Sequence, residues 1–238
     1  MFSFLRSSFS ITACTGFGLL SFSISSFASS LCENPFFSHS KTIQFHASYS
    51  YEDFIGAEIL KSDSDGTFVT TRKGVFLDFA KMAEEHPDEN YLFVIDELNR
   101  GNIAEIFGET ILALDRDYTA DLSREYDGIR TLKLPDNFYI VATMNTSDRN
   151  IAFLDLAIRR RFAFVPLLPN YDFLSESVIL EEFDLGNVLK TINQRIVNTL
   201  KDTELMLGQS YFIPNKTDEG YIWDFEQFKN QFNFVLLP

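Results

Sequence analysis

Beyond residue 32 the sequence contains no cysteine, and the only two, Cys14 and Cys32, lie in an atypical N-terminal stretch. Neither a disulfide framework nor a cysteine metal site is therefore available to the body of the chain. Histidine is almost as scarce: His39, His46 and His86 are too scattered to suggest a metal cluster. Basic residues are also few, 20 Lys and Arg against 34 Asp and Glu, giving a net charge of −14 and a pI near 4.6. With no Lys/Arg-rich tract, the chain is poorly suited to grip a nucleic-acid backbone by itself, and any DNA contact calls for another segment or subunit. What is present is 238 residues at 45% hydrophobic content, enough for one large domain, or one with a small satellite.

The first forty residues differ from the rest. Twelve are Ser and eight are Phe, and only Arg6 and Glu33 are charged. Three explanations stand open for this leader. A secretory signal over 1–30 would take Arg6 as its basic start, Ile11 to Phe27 as its apolar stretch and Ala28 to Ser30 as its cleavage site. A membrane anchor would need a longer and less serine-diluted run. A non-native leader, from a misassigned start or a frame error upstream, is the third.

From Lys41 onward strands and helices alternate, which predicts an α/β sheet over 41–170. Strands are expected at Thr42 to His46, Tyr91 to Ile95, Phe138 to Thr143 and the apolar run Phe162 to Leu168. Tyr51 to Ile55 reads as a helical turn and Lys61 to Thr71 as a loop or hairpin. Helical spacing covers Gly74 to Glu85, ended by His86-Pro87, and Ile103 to Leu114, with a charged connection after it and a short helix at Leu154 to Arg161. Past Asn170 the strands are expected to stop. Val188 to Leu200 and Asp224 to Val235 predict helices of a small appended domain over 171–238.

The chemistry sits in three places. YLFVIDELNRG, from Tyr91 to Gly101, is an apolar strand that ends in Asp96 and Glu97. That is the shape of a Walker B element, in which the first carboxylate holds the hydration shell of Mg²⁺ and the second polarises the water that attacks a γ-phosphate. Alone, the pair reads first as a turn capping the next helix, and it is the context that reverses this. A second polar cluster, Thr143 to Arg149, closes a neighbouring buried strand at the end where open parallel sheets bind ligands, and Asn145 there can orient a water or contact a phosphate. Third, Arg159, Arg160 and Arg161 follow one another on a short helix, about 100° apart, so they cannot all serve one intramolecular site. An arginine that faces a neighbouring subunit can stabilise the charge of phosphoryl transfer there.

Together VIDELNRGN, IFGE, LPDNFYIVATMNTSDRNIAFLD and AIRRRF resemble the AAA+ domain of the McrB group, the motor subunit of modification-dependent restriction systems, with FHASYSYEDFI and LGQSYFI as flanking similarities. The resemblance covers Ile43 to about Pro238 and implies an AAA+ type P-loop NTPase sheet, partial here, followed by a small helical lid. It implies GTP or ATP as substrate and Mg²⁺ held through water by Asp96, with Glu97 activating water and Asn145 as sensor 1. Asp148 and Arg149 match the signature that couples hydrolysis to a partner, and the finger lies among Arg159, Arg160 and Arg161. Gln209 stands at the sensor-2 position where the family often has His, and Asn150 where it usually has Ser. The implied partners are a homo-oligomeric ring, a hexamer, and an McrC-like nuclease subunit, with DNA reached only through another domain, in the cytoplasm and with no membrane. One departure is large. No G-x-x-G-x-G-K-[ST] occurs in the sequence, and the Ser/Phe-rich leader stands where that phosphate loop and its strand belong. These 238 residues alone are accordingly expected to hydrolyse little nucleotide. The end at FNFVLLP is likewise expected to cut the lid short. Two other functions remain open on these residues: a non-catalytic ring or interaction subunit, and a MoxR-like remodelling ATPase.

Overall fold

A computed structural model describes residues 10–15, 31–64, 66–145, 156–203 and 205–236. Within them the chain divides into two compact units: one carries the main sheet and ends at Val165, and the other is chiefly the stretch from Pro166 onward.

The first unit is built on a five-stranded sheet. Its strands are β1 (Ser10–Thr15), β2 (His39–Gln44), β5 (Tyr91–Asp96), β8 (Phe138–Asn145) and β9 (Phe162–Pro166), in the spatial order β2-β5-β8-β1-β9. β5 runs parallel to both β2 and β8, with Gln44 opposite Asp96 and Ile95 opposite Ala142. Tyr91 through Ile95 are all buried, as a strand covered on both faces requires. A sheet short of its first strand is the sequence expectation; in the structure Ser10–Thr15, from the leader, lies between β8 and β9.

Between β2 and β5 come α1 (Tyr51–Phe54), the hairpin β3 (Gly56–Asp63) and β4 (Gly66–Lys73), and α2 (Val75–Glu85). Ser50 caps α1 by accepting the Asp53 N–H. Phe76, Leu77, Phe79, Ala80 and Ala83 form the buried face of α2, and its last turn closes with His86 N–H on the Met82 carbonyl, just before Pro87. The core beneath is aromatic. Phe54 stacks on Phe76 at 4.6 Å, and Phe93, Phe107 and Phe138 surround them edge-on or tilted.

The segment after β5 differs from its expected single helix. α3 (Ile103–Phe107) stops at Gly108, and a 3-10 helix, Gly108–Leu114, continues. Gly108 has φ 50° and ψ −134°, a conformation that a side chain would forbid, so the α-helix cannot pass through it. The Thr110 hydroxyl donates to the stranded Phe107 carbonyl at 2.5 Å. The charged connection that follows is in fact a second hairpin, β6 (Ala120–Tyr126) and β7 (Ile129–Leu132). Asp127 and Gly128 at its tip both have positive φ, the geometry of a two-residue hairpin turn. After β8 the chain is described again at α4 (Leu156–Arg159), which leads into β9.

The second unit holds α5 (Tyr171–Ser177), β10 (Val178–Ile179), α6 (Leu185–Leu200), β11 (Tyr221–Ile222) and α7 (Phe225–Gln231). The expectation that strands end at Asn170 fails here: β10 and β11 form a short parallel pair. Two residues each are too few to show as an alternating pattern. Leu174, Val178, Leu180, Leu185, Leu189, Tyr211 and Phe212 make the unit's core. Asn170, Asp184 and Asp224 cap its three helices through their side chains. Among the described residues no helix is long and apolar enough to cross a membrane.

Candidate functional site

The carboxyl ends of β5 and β8 lie side by side because the two strands are parallel and in register, and this brings the polar residues that end them together. Asp96 is the last residue of β5. Its Oδ1 accepts the Thr143 hydroxyl at 2.5 Å, and its Oδ2 accepts the side-chain amide of Gln44, the last residue of β2, at 3.3 Å. Each carboxylate oxygen thus keeps further acceptor capacity. Thr143 is 1% exposed, and its oxygen also accepts the Glu97 backbone N–H at 3.3 Å. One hydroxyl therefore fixes both members of the carboxylate pair against the neighbouring strand.

Glu97 departs from the strand. Its φ of 56° and ψ of 46° are left-handed, which turns the chain sharply into the 3-10 helix Leu98–Arg100. The Glu97 side chain is 20% exposed, with Oε2 3.2 Å from Arg100 Nε. Asn145 ends β8 two residues beyond Thr143, on the same face of that strand.

The three consecutive arginines separate by environment. Arg161 is turned inward: its Nε donates to Asp115 Oδ2 at 2.9 Å and its Nη1 to the Ala157 carbonyl at 3.0 Å. Arg159 and Arg160 are exposed. Next to Asp115, Arg116 donates to the carbonyls of Pro135 and Phe138, at the start of β8, and burial lowers its pKa. Glu109, in the 3-10 helix, accepts the Tyr51 hydroxyl at 2.8 Å and the Ser123 N–H at 2.6 Å. Burial pushes its carboxyl up, but the N–H donors at Ser123 and at its own backbone, with the two hydroxyls, outweigh this and hold it below the ordinary range.

In the second unit Gln209 opens the 3-10 helix Gln209–Phe212, and its side-chain oxygen accepts the Asn170 N–H at 3.2 Å. Asp148 and Arg149 lie outside the described residues. Sequence reasoning thus located Asp96, Glu97 and Asn145 on the strand ends where they stand. It missed Gln44, Asp115 and Arg116, and it took Thr143 only as the first letter of a polar cluster. A signal for Thr143 existed in its hydroxyl, set inside an otherwise apolar strand.

A family model described as AAA domain (dynein-related subfamily) matches residues 23–162, more than half of the chain. The chain is 34% identical over 185 residues to the Type IV methyl-directed restriction enzyme EcoKMcrB subunit of Escherichia coli (strain K12), covering 71% of this chain and 39% of that protein. It is 30% identical over 186 residues to the Type II restriction enzyme BsuMI component YdiS of Bacillus subtilis (strain 168), covering 68% of this chain and 52% of that one. It thus spans about half the length, or less, of the curated relatives it matches. A crystal structure from Cytophaga hutchinsonii aligns with 85% of this chain and 50% of its own, at 18% identity and a TM-score of 0.41.

Proposed function

The chain belongs to the AAA domain family, dynein-related subfamily, and from that premise we propose that it is the nucleoside-triphosphatase portion of a McrB-like restriction motor acting on GTP or ATP. The observation that carries this reading is the joining of Asp96 and Glu97, through one buried Thr143 hydroxyl, at the carboxyl ends of adjacent parallel strands.

The donor set suits Mg²⁺, a hard cation that binds oxygen: Asp96 offers carboxylate oxygens already oriented by Thr143 and Gln44, and it would hold the ion through water. When bound, the ion neutralises charge on the phosphate oxygens. Glu97 accepts a proton from the attacking water, standing just past the strand end where its left-handed backbone turns the chain. Asn145 orients that water from the neighbouring strand. Asp148 and Arg149 couple hydrolysis to a partner subunit, and Gln209 takes the sensor-2 place in the lid. Arg159 and Arg160 are the better candidates to reach a neighbouring subunit's nucleotide, since Arg161 is turned inward onto Asp115 and the Ala157 carbonyl. The assembly is a homo-oligomeric ring, a hexamer, in the cytoplasm, working with an McrC-like nuclease subunit. DNA is read by another domain, consistent with the net charge of −14.

The sequence contains no G-x-x-G-x-G-K-[ST], so these 238 residues by themselves are proposed to turn over little nucleotide. The test is Mg²⁺-dependent GTP and ATP hydrolysis by the purified chain, alone and mixed with an intact McrB-like relative. Stimulation of the relative that vanishes in Arg159→Ala/Arg160→Ala supports the motor reading. Robust turnover by the chain alone, lost in Glu97→Gln, would overturn the impairment and keep the enzyme.

A further inference from the structure

Asp115 and Arg116 are neighbours in sequence, yet their side chains reach two different elements. Arg116, itself half-buried, fastens the segment to the start of β8 through the Pro135 and Phe138 carbonyls. Asp115 reaches the residues that follow α4, where Arg161 Nε meets it at 2.9 Å. Arg161 is only 15% exposed at its side chain and Asp115 42%, so the pair sits at the rim of the unit and closes over its inner member.

α4 has four residues, too few to hold a helical turn by its own hydrogen bonds. Its orientation must come from attachments, and among the described residues these include the buried Ile158, the strand β9 that begins at the buried Phe162, and the latched Arg161 between them. Arg160 and Arg161 continue from α4 in one tight turn, with the Arg160 N–H on the Leu156 carbonyl and the Arg161 N–H on the Ile158 carbonyl, so the three arginines share one short stretch of backbone. Fixing Arg161 therefore fixes the direction in which the other two are offered. Asp115 in turn ends the run of short helices that starts at Glu97, so the latch ties the outward arginines to the backbone that carries the chain's own water-activating carboxylate.

We propose that Asp115 is a positioning residue for the arginine run: by holding Arg161 it sets how Arg159 and Arg160 are presented to a neighbouring subunit. This rests on the reading of those arginines as acting in trans, and it adds the element that aims them.

The test uses the full 238-residue chain as parent, Asp115→Asn, Asp115→Arg/Arg161→Asp and Arg159→Ala/Arg160→Ala. Each is titrated into an intact relative that carries a phosphate loop but has its own finger arginines replaced by alanine, and Mg²⁺-dependent GTP and ATP turnover is read at saturation. Asp115→Asn is expected to lower the plateau rate roughly tenfold, the scale of a small misplacement of a catalytic group, at an unchanged half-saturating concentration. The reversed pair should restore most of it. In the isolated chain, amide exchange at Arg160 and Arg161 should quicken in Asp115→Asn and slow again in the reversed pair. A plateau equal to the parent's overturns the proposal, and faster exchange with an unmoved plateau overturns it too, since the pair is then a structural contact only. If Arg159→Ala/Arg160→Ala stimulates as the parent does, the trans reading itself fails, and the positioning role falls with it.

Discussion

The Thr143 hydroxyl and the Asp96 carboxylate lie 2.5 Å apart, and the same hydroxyl receives the Glu97 N–H, so β8 and β5 are joined at the point where the chemistry is expected. Thr143→Val keeps the shape and removes both bonds, one to the Asp96 carboxylate and one to the Glu97 N–H. It is expected to destabilise the chain by about 1–3 kcal/mol in urea unfolding, whereas Thr143→Ser should stay close to the parent. Equal stability of the Val variant would show that the hydroxyl does not hold the two strands together.

The arginines should separate by stability in the reverse order of their separation by activity. Arg161→Ala loses a contact whose carboxylate partner is substantially exposed, so its cost is discounted to about 0.5–1 kcal/mol. Arg159→Ala and Arg160→Ala touch the surface only and should lie within about 0.5 kcal/mol of the parent. Thermal melts of the three single variants decide this.

Gly74, before α2, has no room for a side chain. A Cβ there would press on the Phe54 carbonyl group and stand 2.6 Å from the Ile55 nitrogen, all backbone atoms that cannot rotate aside. Gly74→Ala is expected to cost about 1–3 kcal/mol, by pushing α1 off the start of α2. A melt unchanged from the parent would place the two helices further apart than described.

Acid should loosen the link that Glu109 makes between α1 and the β6–β7 hairpin. Its folded pKa is below the ordinary value of 4.5, so its contribution is full above that value and is lost as pH falls through the lowered one. The parent should therefore lose stability on acidification more steeply than Glu109→Gln, whose amide does not titrate. Parallel urea midpoints for the two between neutral pH and the acid range would remove Glu109 from the account.

Much of the sheet was legible because β5 and β8 are largely buried and so read as mostly apolar runs that end in polar residues. The break at Gly108 was not, since Ile111 and Leu114 keep helical spacing while the backbone between them has changed form. The β6–β7 hairpin carried an Asp127-Gly128 signal between Tyr126 and Ile129, which the density of charge around it obscured. For the site, residue type and position at strand ends were enough to find Asp96, Glu97 and Asn145. Partners brought in from far along the chain were not readable: Asp115 meets Arg161 from 46 residues away, and Gln44 meets Asp96 from 52. The rotation of about 100° per residue showed that three arginines cannot share one task, but only the contact to Asp115 shows which one is tied back.

The backbone at Glu97 carries one more consequence. A non-glycine residue at φ 56° gives up about 1 kcal/mol of conformational energy relative to ordinary helical geometry. Glycine would relax there without moving its neighbours, so Glu97→Gly should fold at least as firmly as Glu97→Gln, which keeps the strain. The glutamate is thus the less comfortable occupant of its own position, and selection for folding alone would tend to replace it.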